Sequence, residues 1–312
     1  MTRRILIVAN PYRPSSLEAR DEVARVLAGA GIDTCTAYDQ QVSAPIEAAI
    51  VLGGDGTMLH AAQLTHGTGI PLLGVNLGRV GFLAELERED VAAAAQRLAS
   101  GDYTVEERGT LAVTVTGPDG SVVEGWALNE ATLQRSVGLR TLEVSLAVDG
   151  LPLSSFGCDG LVVSTATGST AHAFSGGGPV MWPDVDAMLC VPLAAHALFA
   201  RPLVVGPDSS FQIEVVRSSE AGGQVVLDGS RSIEAVPGTV VEVRRGDHPV
   251  RLARISDAPF TERLVKKFSL PTDGWRGERA RLTPIGREIH GSSQPSASTP
   301  HSAVPQADPR DG

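Results

Sequence analysis

Seven residues constrain this chain more than any others: Val51-Leu52-Gly53-Gly54-Asp55-Gly56-Thr57. A short apolar strand ends in two glycines, an aspartate, a third glycine and a threonine. A helical segment is predicted from Met58 to about Leu64. Glycines let the backbone turn sharply and approach a bulky anion closely. The N-terminus of the following helix adds unpaired N–H donors and the positive end of a dipole, which suit phosphate. A lone carboxylate in such a loop repels phosphate unless it binds a metal or takes a proton from an attacking hydroxyl. Phosphoryl transfer onto an alcohol is the chemistry that reconciles the two.

The surrounding pattern predicts an open, Rossmann-like parallel α/β sheet. Arg4–Ala9 reads as a buried strand. Val23, Val26, Leu27 and Ala30 fall on one helical stripe between Leu17 and Ala30. Strands follow at Thr34–Tyr38, Ile50–Leu52 and Pro71–Val75, and an alanine-rich helix at Val91–Leu98. Such sheets bind ligands at the carboxyl ends of their strands. Near Tyr103 the pattern changes to short alternating strands separated by Asp-Gly turns. The fold class expected is therefore α/β plus all-β, the second part sandwich-like. The boundaries are 1–103 for the α/β domain and 104–256 for the β-rich domain. A segment over 257–284 is expected to return to the first domain, and 285–312 reads as a disordered tail poor in large apolar residues.

Composition narrows the function classes. The chain has 312 residues, with 26 Lys and Arg against 36 Asp and Glu, a net charge of −10. That balance argues against a nucleic-acid-coating protein. No apolar run approaches the roughly 20 residues that span a bilayer, so no membrane partner is expected. The three cysteines, Cys35, Cys158 and Cys190, are widely separated and form no metal-ligand pattern. They read as small buried apolar residues in a reducing compartment, and the chain reads as cytoplasmic, with no metal-ligating residues of its own.

Two further constellations carry chemistry. In Ala127-Leu128-Asn129-Glu130-Ala131 a polar pair sits between apolar flanks. Such a pair can grip the two hydroxyls of a ribose; a strand end or hairpin accounts for it equally. The run from Asp159 through His172 takes an apolar strand into a dense Ser/Thr/Gly segment, followed by Ser175-Gly176-Gly177-Gly178-Pro179. Small hydroxyls and free backbone N–H groups there can read the polar edge of a purine; helix capping is the plainer reading.

GGDG alone resembles several kinase families, among them diacylglycerol and sphingosine kinases and phosphofructokinases. GGDGT, Asn-Glu and DGLVVSTATGSTA in that order resemble the bacterial NAD kinase family. Asn76-Leu77-Gly78-Arg79-Val80-Gly81-Phe82-Leu83 and Ala195 through Leu203 resemble two more of its segments. Trp182-Pro183-Asp184 and Lys267 through Gly277 are similar to actinobacterial members. The resemblance covers about residues 4 to 276 and implies a mechanism. Asp55 takes the proton of the adenosine-ribose 2′-hydroxyl of NAD, and the oxygen attacks the terminal phosphoryl of ATP or polyphosphate, with Mg²⁺ screening the phosphates. Gly53, Gly54 and Gly56 shape the phosphate loop. Asn129 and Glu130 hold ribose hydroxyls, and Phe82 lines the adenine pocket. Asp159 contacts the dinucleotide, Arg140 stands at another dinucleotide-contacting position, and Thr170, Ala171 and Ser175 lie on the adenine side. Homodimers or homotetramers, with the site near a subunit contact, are implied too.

The chain departs from that pattern within the expected site. His172 stands where a tyrosine is usual, Ala166 where a proline is usual, and His60 where a lysine or arginine is usual. Leu193-Ala194 replaces a more polar pair, and the stretch between Tyr38 and Ile50 is short. With His60 as the cation beside the phosphates, phosphorylation should rise as pH falls from about 8 to 6.5. Two alternatives stand beside the kinase: a non-catalytic NAD(P)-binding regulator that kept the fold, and a GGDG lipid kinase.

Overall fold

The computed structural model describes residues 3–36, 46–78, 81–136, 141–256 and 258–272. Arg140 and the expected tail lie outside them. The chain opens with β1 (Arg4–Ala9), α1 (Pro14–Gly29), β2 (Asp33–Thr36), β3 (Ala48–Leu52), α2 (Asp55–Thr65), β4 (Leu72–Val75), α3 (Val91–Ser100) and β5 (Thr104–Arg108). Then come β6 (Leu111–Thr116), β7 (Val122–Ala127), β8 (Glu130–Arg135), β9 (Leu142–Val148), β10 (Leu151–Cys158) and β11 (Gly160–Thr165). A 3-10 turn over Thr167–Thr170 and the single-turn α4 (His172–Ser175) lead into β12 (Met188–Leu193) and β13 (Leu203–Val205). The chain continues with β14 (Ser210–Val215), β15 (Gly223–Leu227), β16 (Arg231–Ala235), β17 (Val240–Arg245), β18 (Val250–Arg254) and α5 (Phe260–Phe268).

The first sheet has six strands in the order β2-β1-β3-β4-β18-β5. The strands from β2 to β18 run parallel, and β5 is antiparallel to β18. A parallel sheet must be covered on both faces, and β3, Ala-Ala-Ile-Val-Leu, is buried at every residue. On one face Ile5, Ile7, Ile50 and Leu52 pack with Val23 and Leu27 of α1 and Ala94 and Leu98 of α3. On the other, Val8, Val51 and Leu72 pack with Met58 and Ala61 of α2, and with Leu83, Leu128 and Leu252.

Two antiparallel six-stranded sheets follow, β10-β9-β14-β17-β6-β7 and β13-β12-β11-β8-β15-β16. Their inward residues share one core that includes Leu111, Val113, Leu133, Leu146, Val163, Phe211 and Val243. This is the expected sandwich, and alternate residues point inward, as in β14 with Phe211, Ile213 and Val215 buried. All three cysteines are free and buried.

Three placements differ from the sequence reading. The helix after the glycines starts at Asp55, not Met58, with Gly54 as its N-cap. α1 begins at Pro14 rather than Leu17, because proline suits the first helical position, where its missing N–H costs nothing. The first sheet also takes β5 and β18, which the expected boundaries give to the β-rich part. The chain rejoins the first sheet at Val250, ahead of the expected return at 257.

Candidate active site at the strand ends

β1, β3 and β4 run side by side and end together. Their loops line a cavity of about 830 Å³, a size suited to a nucleotide-sized ligand. Gly53, Gly54, Gly56 and His60 all line it. Gly53 continues the strand edge by donating its N–H to the Val75 carbonyl at 2.9 Å. Arg13 and Ser16, which the sequence reading missed, and Thr57 and Asn76, which it named only within motifs, line the same cavity. Arg13 supplies a permanent cation there. It lies in the loop after β1, where a polar residue carries no periodic signal.

Asp55 is the first residue of α2. Its carboxylate accepts the Phe82 N–H at 3.0 and 3.1 Å and the Leu83 N–H at 3.0 Å. The approach is close: a Cβ added at Gly81 would fall 2.8 Å from the Asp55 Cγ. Glycine at position 81 thus lets two peptide N–H groups reach one carboxylate. Phe82 is buried, its ring against Phe260 and Phe268 of α5 at 5.8 Å each. It touches the site through its backbone, and its ring is covered rather than open to an adenine.

Asn129 and Glu130 are buried at the start of β8. The turn is gripped by Asp228, which accepts N–H bonds from Leu128 at 2.9 Å, Asn129 at 2.7 Å and Glu130 at 3.3 Å. Arg231 holds Asp228 at 3.0 Å. Sequence reasoning missed Asp228 because Asp228-Gly229 reads as an ordinary turn; its backbone φ is +48°. Glu130 Oε2 is buried with no hydrogen-bond partner. Burial, and next the charge of Asp228, push the Glu130 carboxyl up to about 7, against an opposing His172 backbone N–H.

The Thr167–Thr170 turn packs onto this pair. Thr165 donates its N–H to the Asn129 carbonyl at 3.0 Å, and its hydroxyl donates to the Leu128 carbonyl at 2.6 Å. A Cβ at Gly168 would come within 2.7 Å of the Asn129 Cα, so only glycine fits. Thr170 ends that turn, Ala171 follows it, and His172 and Ser175 begin and end α4. His172 Nδ1 lies 3.3 Å from the Thr132 hydroxyl. Leu128 shares a hydrophobic cluster with Met58 and Leu83, which ties this half of the site to the Asp55 half.

Asp159 is not brought to the same place. β11 runs from Gly160 opposite Gln134 to Ser164 opposite Glu130. Asp159 thus stands at the far end of the strand, about 20 Å from Thr165 at about 3.3 Å per residue. It pairs there with Arg135 at 2.7 Å.

Known proteins resemble this chain in sequence and share its fold. Residues 31–103 match the ATP-NAD kinase N-terminal domain and residues 128–255 the ATP-NAD kinase C-terminal domain. The chain is 50% identical to the NAD kinase of Leifsonia xyli subsp. xyli, over 89% of this chain and 98% of that protein. It is 47% identical to NAD kinase 2 of Streptomyces coelicolor, over 88% of this chain and 97% of that one. In fold it is similar to yeast NADH kinase complexed with NADH, at a TM-score of 0.79 and 20% identity, covering 88% of this chain and 89% of that one. An NAD kinase from Archaeoglobus fulgidus in complex with ATP gives a TM-score of 0.68 at 23% identity, covering 87% of this chain and all of that one.

Proposed function

The chain belongs to the NAD kinase family and makes NADP from NAD, and on that premise we propose how its own residues do so. Asp55 orients the 2′-hydroxyl of the adenosine ribose and takes its proton. The oxygen then bonds to the terminal phosphorus of the donor as the bond to the bridging oxygen breaks. ADP leaves, or a polyphosphate one unit shorter. The observation that carries this reading is the seating of the Asp55 carboxylate by two peptide N–H groups beside the cavity. An ordinary aspartate is a weak base, but phosphoryl transfer rests mainly on positioning and electrostatics.

The donor phosphates lie in the cavity, against the glycines and the start of α2, with Arg13 and His60 as the nearby basic side chains. Among the described residues no group of three or more His, Cys, Asp or Glu gathers as a metal cage. Mg²⁺ would arrive on the donor's phosphates, keeping several waters and needing few protein ligands. Asn129 and Glu130 hold the ribose hydroxyls. Thr170, Ala171, His172 and Ser175 border the base. Asp159 serves a dinucleotide only across a subunit contact, which supports a homodimer or homotetramer. The edge of the sandwich offers an apolar surface for it: Leu151 and Leu153 on β10, Leu198 and Phe199, and Val204 on β13 are exposed. The free, buried thiols fit a reducing compartment, the basis for reading the enzyme as cytoplasmic.

The test is NADP formation from NAD or NADH with ATP or polyphosphate and Mg²⁺, with Asp55→Asn as control. The variant should lose nearly all turnover and keep NAD binding. Full activity in Asp55→Asn would remove the base from this mechanism. Wild-type protein that binds NAD without turning it over would instead be the non-catalytic regulator.

A further inference from the structure

A charge cluster, buried at Arg108, Arg254 and Glu85 and partly exposed at Glu106, whose side chain is 35% exposed, lies outside every motif above. On one face of the β5–β18 pair stand Glu106, Arg108 and Arg254. The Arg108 and Arg254 side chains are 3% and 8% exposed. Glu85 joins from the chain after β4, with its side chain 5% exposed, and Arg263 from α5. Three arginines thus meet two glutamates. Arg108 Nε and Nη2, Arg254 Nη2, and Arg263 Nε and Nη1 are buried and make no hydrogen bond, although Arg108 Nη2 keeps an ion-pair contact with Glu106. Burial, only partly offset by Glu106, brings the Arg108 guanidinium down to about 10. A cluster with surplus buried charge is a poor way to gain stability, and well-packed apolar side chains often do as well or better.

Its connections supply another reason to keep it. The two oxygens of Glu106 serve different arginines: Oε2 accepts from Arg254 Nε at 2.7 Å, and Oε1 pairs with Arg108 Nη2 at 2.8 Å. Arg254 Nη1 in turn donates to the Leu83 carbonyl at 3.3 Å. The N–H of that same Leu83 holds Asp55. Arg108 Nη1 reaches the Thr167 hydroxyl at 3.4 Å, at the start of the turn that packs on Asn129. One carboxylate therefore sets the spacing of two guanidinium groups, and each ends on a different half of the site. Burial opposes ionising Glu106, yet the charges of Arg254 and Arg108 outweigh it and hold the carboxyl below its ordinary value. It stays charged, accepting from Arg254 and forming an ion pair with Arg108.

We propose that Glu106 is a positioning residue for the phosphoryl transfer: through Arg254–Leu83 it fixes Asp55, and through Arg108–Thr167 it fixes the turn that borders the acceptor. The inference rests on Asp55 as the base, and it adds a second layer that no motif contains. Its two arms have separate signatures. Arg254→Lys keeps the charge beside Glu106 but cannot also reach the Leu83 carbonyl; kcat should fall about 10- to 100-fold, with KM for NAD near wild type. Thr167→Val removes only the Arg108 contact; KM for NAD should rise about threefold, with kcat near wild type. Glu106→Gln presents an amide N–H₂ to one guanidinium and should show both effects at once. KM for ATP should stay unchanged in all three, because the donor cavity is lined by other loops.

Steady-state kinetics in both substrates, with thermal melting of each variant and Asp55→Asn alongside, decides the matter. A split of kcat from KM between Arg254→Lys and Thr167→Val supports positioning. If both keep wild-type constants, or if both lose activity only in proportion to lost folded protein, the cluster is structural and the proposal falls. Full turnover in Asp55→Asn would overturn the underlying reading instead, so the two failures are distinguishable.

Discussion

Glu130 combines a buried, unpartnered oxygen with a proton held up to about 7, against an ordinary value of 4.5. The folded state therefore binds this proton more tightly than the unfolded chain does. The resulting stabilisation is complete below about 4.5 and is lost as pH rises through about 7, on the order of 3 kcal/mol in all. Glu130→Gln removes that term, so its melting temperature should gain on wild type between pH 4.5 and 7.5. Parallel curves for the two proteins would mean that Glu130 is ionised in the fold. Arg13 makes a second prediction at this scale. Arg13→Met should raise KM for ATP about tenfold or more, the scale of a charge-assisted hydrogen bond, and leave KM for NAD unchanged. Steady-state kinetics reads this directly, and an unchanged KM for ATP would leave His60 as the cation to test next.

Among the elements, the two loops that close on the site depend on glycines with backbone or carboxylate against them. A Cβ at Gly168 meets the Asn129 backbone, and one at Gly81 meets the Asp55 carboxylate. Gly168→Ala forces the turn off β8 at about 1–3 kcal/mol, and KM for NAD should rise with the loss of melting temperature. Gly81→Ala should instead cost kcat with little loss of stability, because a side chain and not a backbone must yield. Equal stability losses in the two variants would contradict this contrast. The elements legible in the sequence were those with unbroken apolar character or clean alternation, among them β1, β3 and β4 in the first sheet and β11 in the sandwich. β5, Thr-Val-Glu-Glu-Arg, and β16, Arg-Ser-Ile-Glu-Ala, were not. Both are sheet edges, where solvent permits charge and the hydrophobic signal fades. β10 carries Pro152, tolerated because it too is an edge. α2 was placed late because Gly-Gly-Asp-Gly reads as loop, although the backbone is already helical at Asp55. The site was legible where one motif supplies it. It was hidden where, as with Asp228 and Arg254, a residue distant in sequence arrives through sheet pairing.

For the whole molecule, the apolar edge formed by β10, β13 and the loop between β12 and β13 makes a testable demand. The His196 N–H bonds the Gly157 carbonyl at 2.8 Å, so that loop is joined to the β10 edge. The proposed homo-oligomer, with its contact at this edge, predicts that Leu198→Asp with Phe199→Asp sediments as a monomer where wild type sediments as a larger species, and that turnover falls with it if Asp159 completes a neighbour's site. Monomers that keep full activity would show each chain to be self-sufficient. A different demand comes from the order of strands in the first sheet. β18 sits between β4 and β5, yet it is made only after the whole sandwich. On the ribosome, the α/β half emerges first but cannot close. Until Val250–Arg254 arrives, the inner edge of β4 is bare and β5 has no neighbour. The strand that β4 and β5 share is thus made only after the residues of the sandwich, and that edge of the parallel sheet stays open until then.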